Sequence, residues 1–188
     1  AEDLDEGSLD AADARKQVTG AQEQLRRLAN LATELLDVSR LDAGVTLRSE
    51  PVDLSEIARA VAAEFAQRAV ESGVLIEVPE PRGSVWAAGD PGAVARIIRI
   101  LLDNGLRFSP RGGLLQITAE YAGDRARMTV SDDGPGVPVS EREQIFHRFR
   151  RGSTTGGEGG FGLGLAIGRE LARRMDGDLT LVPEGLSK

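Results

Sequence analysis

Residues 114–136 read LLQITAEYAGDRARMTVSDDGPG. Leu115, Ile117 and Ala119 alternate with polar neighbours, the period of a half-buried strand. Ala122-Gly123-Asp124 is a turn, and Ala126, Met128 and Val130 alternate again. Two such runs around a short glycine-containing turn predict a β-hairpin. Directly after it come Asp132-Asp133-Gly134-Pro135-Gly136. Asp-Gly is a common turn pair, and a plain turn explains it. A carboxylate at a strand end can also accept a hydrogen bond from an adenine amino group. Glycines beside it let the backbone approach a flat ring.

Working upstream, Asp90 and Pro91 read as an N-cap followed by proline at the first helical position. Val94, Ile97, Ile98, Leu101 and Leu102 form a wide apolar stripe on a helix that runs to about residue 107. Near its end stands Leu101-Leu102-Asp103-Asn104-Gly105. A helix-terminal cap accounts for Asn104. A neutral oxygen ligand for Mg²⁺ accounts for it too, since that ion takes oxygen donors shared with phosphates. Val74, Ile76 and Val78 alternate as a strand that Pro79 and Pro81 close, and residues 85–87 read as a second short strand. Asp53 and Glu56 have capping-box-like spacing. The helix after them carries Leu54, Ile57, Ala58, Val61 and Phe65 on one face. Residues 45–52 read as a linker.

From residue 11 to 43 one long helix is expected. Leu28, Leu31, Leu35 and Val38 step along it by three and four residues, as the seam of a coiled coil or bundle does. A surface helix packed on its own domain satisfies the same pattern. Gly44 is a natural stop. Residues 1–10, acidic and without period, read as a loop or frayed end.

Downstream, Ser140 opens a short helix to residue 149. Residues 152–164 hold seven glycines and read as a mobile loop or lid. Gly160-Phe161-Gly162-Leu163-Gly164-Leu165 closes that loop and opens a helix over 163–175, and residues 179–182 read as a last strand. Gly157-x-Gly159-x-x-Gly162 matches a dinucleotide fingerprint, but no strand precedes it and no βαβ unit surrounds it. No Gly-Lys-Ser/Thr follows any loop, so a P-loop is excluded. What remains is a helix N-terminus near Leu163 with backbone N–H groups before it, an anion site suited to a triphosphate. The order of elements predicts an α+β fold with helices on one face of a mixed sheet.

Composition excludes several classes. Hydrophobic residues make up 40% of the 188, enough for a core. The net charge of −7 opposes the basic face that nucleic-acid binders present, and the arginines near 148–151 read as a short solvated run. No cysteine is present, which excludes disulfides, thiolate catalysis and Cys-ligated zinc. The single histidine, His147, rules out His-rich metal sites and argues against a Ser-His-Asp triad. No apolar run approaches the roughly 20 residues of a membrane span, and no signal peptide opens the sequence.

In order and spacing, the three segments around Asn104, Asp132 and Gly162 resemble the N, G1 and G2 boxes of the histidine-kinase branch of the Bergerat-fold ATPases. Ile145-Phe146-His147-Arg148-Phe149 resembles that family's F box. Leu35-Leu36-Asp37-Val38-Ser39-Arg40-Leu41-Asp42-Ala43-Gly44 resembles the end of the second helix of the dimerisation and phosphotransfer domain, and Pro51-Val52-Asp53-Leu54 its entry to the catalytic domain. The resemblance implies a Bergerat-fold two-layer α/β sandwich with a mixed sheet, preceded by a long helix from a helical dimerisation bundle. Residues 1–44 would be part of the dimerisation and phosphotransfer domain, 45–52 the linker and 53–188 the catalytic domain, without the family's last strand.

It also implies ATP and Mg²⁺, and transfer of the γ-phosphoryl group to a histidine of a phosphotransfer domain. The implied partners are that domain, a response-regulator receiver domain and a second copy in a homodimer, with no nucleic acid. The implied place is the cytoplasmic portion of a sensor. Asn104 matches the Mg²⁺-holding asparagine, and Arg107 the basic residue near the phosphates. Asp132 matches the adenine-reading aspartate, with Gly134 and Gly136 its glycines. Gly160, Gly162 and Gly164 match the glycines that meet the phosphates, and Arg151 a lid arginine near the γ-phosphate. Phe146 and Phe149 would anchor the lid on the core.

Three departures qualify this. The family's acceptor histidine, with its acidic neighbour, has no counterpart, and His147 within the F box is not that residue. The chain stops at Lys188, one strand short of the family pattern. Ile100 stands four residues before Asn104, where the family has another asparagine, and isoleucine binds neither metal nor phosphate. Gyrase and chaperone relatives place a water-activating glutamate there, which isoleucine cannot replace. Two other readings stay beside the kinase: a degenerate nucleotide-binding or dimerisation module without kinase activity, and an anti-sigma-type serine kinase of the same fold, against which the long helix argues.

Overall fold

The computed structural model describes residues 3–44, 46–80, 83–150 and 161–182. Helix α1 (Asp3–Asp42) is followed by strand β1 (Glu50–Asp53), helix α2 (Leu54–Ser72), strands β2 (Leu75–Glu77) and β3 (Trp86–Gly89), and helix α3 (Pro91–Phe108). The hairpin β4 (Leu114–Ala122) and β5 (Arg125–Asp132) comes next, then two 3₁₀ turns, Val139–Glu141 and Gln144–Phe146, and helix α4 (Gly164–Arg174).

Local chemistry sets most of these boundaries. Asp53 caps α2, its Oδ1 accepting from the N–H groups of Ser55 at 2.9 Å and Glu56 at 3.1 Å. Gly73 ends α2 in the left-handed region (φ +68), which glycine reaches without a Cβ penalty. Gly123 has φ +69 as the first of the two residues joining β4 to β5, the position that a type II′ hairpin turn gives to glycine.

Asp90 caps α3, its Oδ1 accepting from Ala93 N–H at 3.0 Å, and its Oδ2 accepts from Arg48 N–H at 3.0 Å. The bond from Ala93, and after it those from Arg48 and Gly92, hold the Asp90 carboxyl below its usual range against an opposing push from burial. A depressed folded-state pKa contributes stability that is complete above the ordinary aspartate range and is lost as pH falls through the folded value. Asp90→Ala should therefore cost about 1 kcal/mol at neutral pH. The difference from the parent should shrink towards zero below the ordinary aspartate range, as followed by urea denaturation across pH.

Strand order is β2-β4-β5 in the main sheet, with β2 parallel and β5 antiparallel to β4, and β1 pairs β3 in a separate antiparallel ribbon. The expected mixed sheet is present. Helices α2 and α3 lie on it. Ala58, Val61, Phe65, Ile98, Leu102 and Leu106 meet Leu115 and Ile117 in the principal core. Gly105 makes this approach possible, because a Cβ there would overlap Leu115, which is itself wholly buried. The other side of α3 is apolar too. Ala93 and Ile100 pack with Leu163, Ile167 and Leu171 of the α4 region, and Leu41 of α1 joins them. A third cluster of Val52, Leu54 and Val85 sets the ribbon over the hairpin.

Several expectations are corrected. Residues 3–10 are helical rather than loop, and residues 50–52, expected as linker, belong to β1. The short helix over 140–149 is two 3₁₀ turns instead. Gln144 Nε2 donates to Ser140 O at 3.1 Å, taking the carbonyl that an α-helical bond from Gln144 N–H would use. Residues 179–182 form no strand, because no neighbouring chain pairs with them among the described residues. On α1, Leu41 is buried and Val38 packs beside it, whereas Leu28 and Leu35 are exposed. Only the C-terminal end of the seam thus packs on its own domain. No helix among the described residues is long and apolar enough to cross a membrane.

Candidate nucleotide site

The three segments that the sequence separates by some sixty residues line one cleft of about 700 Å³. Asn104 and Arg107 come from α3, Asp132, Gly134 and Gly136 from the end of β5, and Gly162 and Gly164 from the start of α4. Gly160 and Arg151 lie outside the described residues.

Asn104 stands in the body of α3, four residues before its end, and Ser109 is the C-cap. The helix-cap reading of Asn104 is thereby set aside. Its side chain is partly buried and its amide makes no hydrogen bond among the described residues, so its oxygen is available to a ligand. Arg107 lies 3.4 Å from Asp103, which Arg68 also holds at 2.6 Å.

Asp132 accepts the Gly134 N–H at 2.8 Å through Oδ1. This bond orients the carboxylate and leaves Oδ2 for a second donor. A Cβ at Gly134 would lie 2.5 Å from that Oδ1 and 3.3 Å from Phe108 O, so glycine is required for the turn. Gly136 has φ +70, again a conformation that suits glycine.

At the other end of the cleft, α4 begins without a side-chain cap among the described residues. Its first turn therefore leaves backbone N–H groups for an anion. Gly162 has φ +73, and a Cβ there would lie 2.5 Å from Arg150 O. Gly162 O accepts from Phe149 N–H at 2.9 Å, which ties together the two ends of the glycine-rich stretch. Phe149 itself has φ 61, a strained setting for a bulky residue. Its ring is exposed, whereas Phe146 is buried under the Arg169 guanidinium, 4.6 Å from the ring centroid. Phe146 packs into the core, and Phe149 meets Gly162 through its backbone, not its ring; most of the lid that both were expected to anchor lies outside the described residues.

Ile100 is buried against Leu163 and Ile167, and a Cβ on Gly164 would lie 3.2 Å from its Cγ2. Its role is packing between α3 and α4, and it offers nothing to a metal. Sequence reading missed Thr33 and Glu34, which reach the same cleft from α1. On a helix read only for its apolar seam, no local signal marks them.

Comparison with known proteins follows the same lines. Residues 89–187 match the family of histidine kinase-, DNA gyrase B-, and HSP90-like ATPases. The adaptive-response sensory kinase SasA of a Synechococcus species is 30% identical over 93% of this chain and 47% of its own length. The signal transduction histidine-protein kinase/phosphatase MprB of Mycobacterium tuberculosis is 33% identical over 84% of this chain and 31% of its own. Among solved structures, full-length ShkA in complex with AMPPNP superposes with a TM-score of 0.73 at 32% identity, covering 90% of this chain and 36% of that one. The chain therefore spans less than half the length of each of these relatives. It belongs to the histidine kinase-, gyrase B- and HSP90-like ATPase family. Within that family its relatives are sensor histidine kinases, and it carries their kind of ATP-binding catalytic domain.

Proposed function

We propose that this chain serves as the catalytic part of a sensor histidine kinase, moving the ATP γ-phosphoryl group to a histidine of a phosphotransfer domain. The observation that carries the reading is the meeting, in one cleft, of an oriented carboxylate with an amide and a helix N-terminus that have no side-chain partner among the described residues. Asp132 would accept the adenine amino group, with Gly134 and Gly136 beside the ring. Gly160, Gly162, Gly164 and the first turn of α4 would hold the phosphates, and Arg107 and Arg151 would neutralise their charge.

The donor set fits Mg²⁺, which needs few protein ligands when phosphates and waters complete its shell. Asn104 Oδ1 would be the protein ligand, since Ile100 is committed to the core. Bound there, the ion would draw charge from the transferring phosphoryl group. The chain's own contribution is positioning. The P–O bond to the β-phosphate breaks, a P–N bond to the histidine forms, ADP leaves and the imidazole proton passes to solvent.

The division at residues 44 and 53, with α1 as part of a dimerisation and phosphotransfer domain, belongs to this proposal. The exposed Leu28 and Leu35 support a bundle partner for α1, and hence a homodimer in the longer protein. A receiver domain of a response regulator would take the phosphoryl group onward. The test is incubation of this chain with labelled ATP, Mg²⁺ and a supplied phosphotransfer domain. Acid-labile label on that domain's histidine is expected. Nucleotide binding without any label would leave a degenerate binding module instead.

A further inference from the structure

Helix α1 is fastened to the catalytic domain at three points. Arg96 lies 2.7 Å from Asp37, with both side chains about three-quarters buried. Arg148 lies 2.9 Å from Asp42, and Arg174 Nη2 donates to Leu41 O at 2.6 Å. Leu41, 5% exposed, completes the grip among Ala93, Ile100 and Leu163. One turn before Asp37, this docking sets Glu34 in the wall of the nucleotide cleft.

Glu34 is poorly compensated there. Its Oε2 is buried with no hydrogen-bond partner among the described residues. The charges that face it are Arg96, Asp103 and Arg107 from α3, and Asp37 from its own helix. Both arginines are already engaged, Arg96 by Asp37 and Arg107 by Asp103. Burial, the largest influence, pushes the Glu34 carboxyl above its usual range, with Asp103 and Asp37 adding to the push while Arg96 and Arg107 oppose it.

Resting on the functional reading above, we propose that Glu34 is an anionic gate: docked α1 holds its carboxylate at the phosphate end of the cleft, so nucleotide phosphates and docking of α1 oppose each other. The physical reason is like charge in a partly desolvated space, where screening by water is weak. Linkage makes the opposition mutual. If docking weakens nucleotide binding by some factor, nucleotide weakens docking by the same factor.

The test uses the intact chain and Glu34→Gln, which removes the charge and keeps the size. Each is titrated calorimetrically with ADP and with adenosine in the presence of Mg²⁺. ADP should bind Glu34→Gln roughly fivefold tighter than the parent, within the usual range of coupling between sites, with adenosine unchanged. Amide exchange in α1 should also rise on adding ADP to the parent and rise less in the variant. ADP binding that is unchanged or weaker in Glu34→Gln would overturn the gate while leaving the nucleotide site intact. Equal tightening of ADP and adenosine would overturn the charge mechanism. Binding of neither ligand by either protein would overturn the proposed function and the gate with it.

Discussion

Asp132→Asn should weaken ADP binding by about tenfold to a hundredfold, the worth of one hydrogen bond to a charged group in a partly enclosed site. Two donors converge on this side chain, the Gly134 N–H, already held at 2.8 Å, and the adenine amino group of the proposed function. A carboxylate has an acceptor oxygen for each. An asparagine has one oxygen and one amide nitrogen, and the nitrogen only donates. Whichever way it turns, one of the two donors faces another donor. If the nitrogen faces Gly134, the turn that places Gly136 is strained; if it faces the ring, adenine recognition is lost. Calorimetric titration with ADP on parent and variant reads the effect. Equal affinities would show that adenine is read elsewhere in the cleft.

Leu102→Ala should lower stability by about 2–5 kcal/mol, the range for emptying a fully buried leucine site. Leu102 is 0% exposed. It sits among Val61, Phe65, Leu106, Leu115 and Ile117, between two helices and the central strand. Residues so enclosed cannot collapse far into the vacated volume, so the cavity cost adds to the lost transfer energy. For a chain of this size the melting midpoint should fall by about 10 °C. Asn104 is only two residues further along the same helix, yet the effect should be on stability alone. ADP affinity measured well below the midpoint should match the parent's. A loss of affinity with little loss of stability would mean that α3 shifts as a unit and carries Asn104 with it.

Much of this molecule was legible in its sequence. The alternation of Leu115, Ile117 and Ala119 against Ala126, Met128 and Val130 placed the hairpin, because side chains on a strand change face at every residue. Asp53, Asp90 and Gly44 placed helix ends, because capping is chemistry between near neighbours. The three boxes placed the cleft through resemblance rather than through any single residue, since Asn104, Asp132 and Gly162 each have an ordinary structural explanation when taken alone. These are local properties, and a chain carries them wherever it is read.

Tertiary structure decided the rest. Residues 179–182 read as a strand, but a strand needs a paired neighbour, and none is present among the described residues. Residues 139–146 have a helix's composition, yet the Gln144 side chain takes the Ser140 carbonyl and leaves two tight turns. Ile100 read as a missing ligand, and the fold shows it as the contact between α3 and α4. Above all, the sequence left the docking of α1 open as one of two readings and gave none of its contacts. Asp37 and Arg96 are 59 residues apart, Asp42 and Arg148 106, and no local pattern announces such pairs. The sequence by itself determined the hairpin, the starts of α2 and α3 and the family resemblance. Only packing of α1 against α3 and α4 decided that Glu34 shares that cleft, because a charge acquires its function from what the fold sets opposite it.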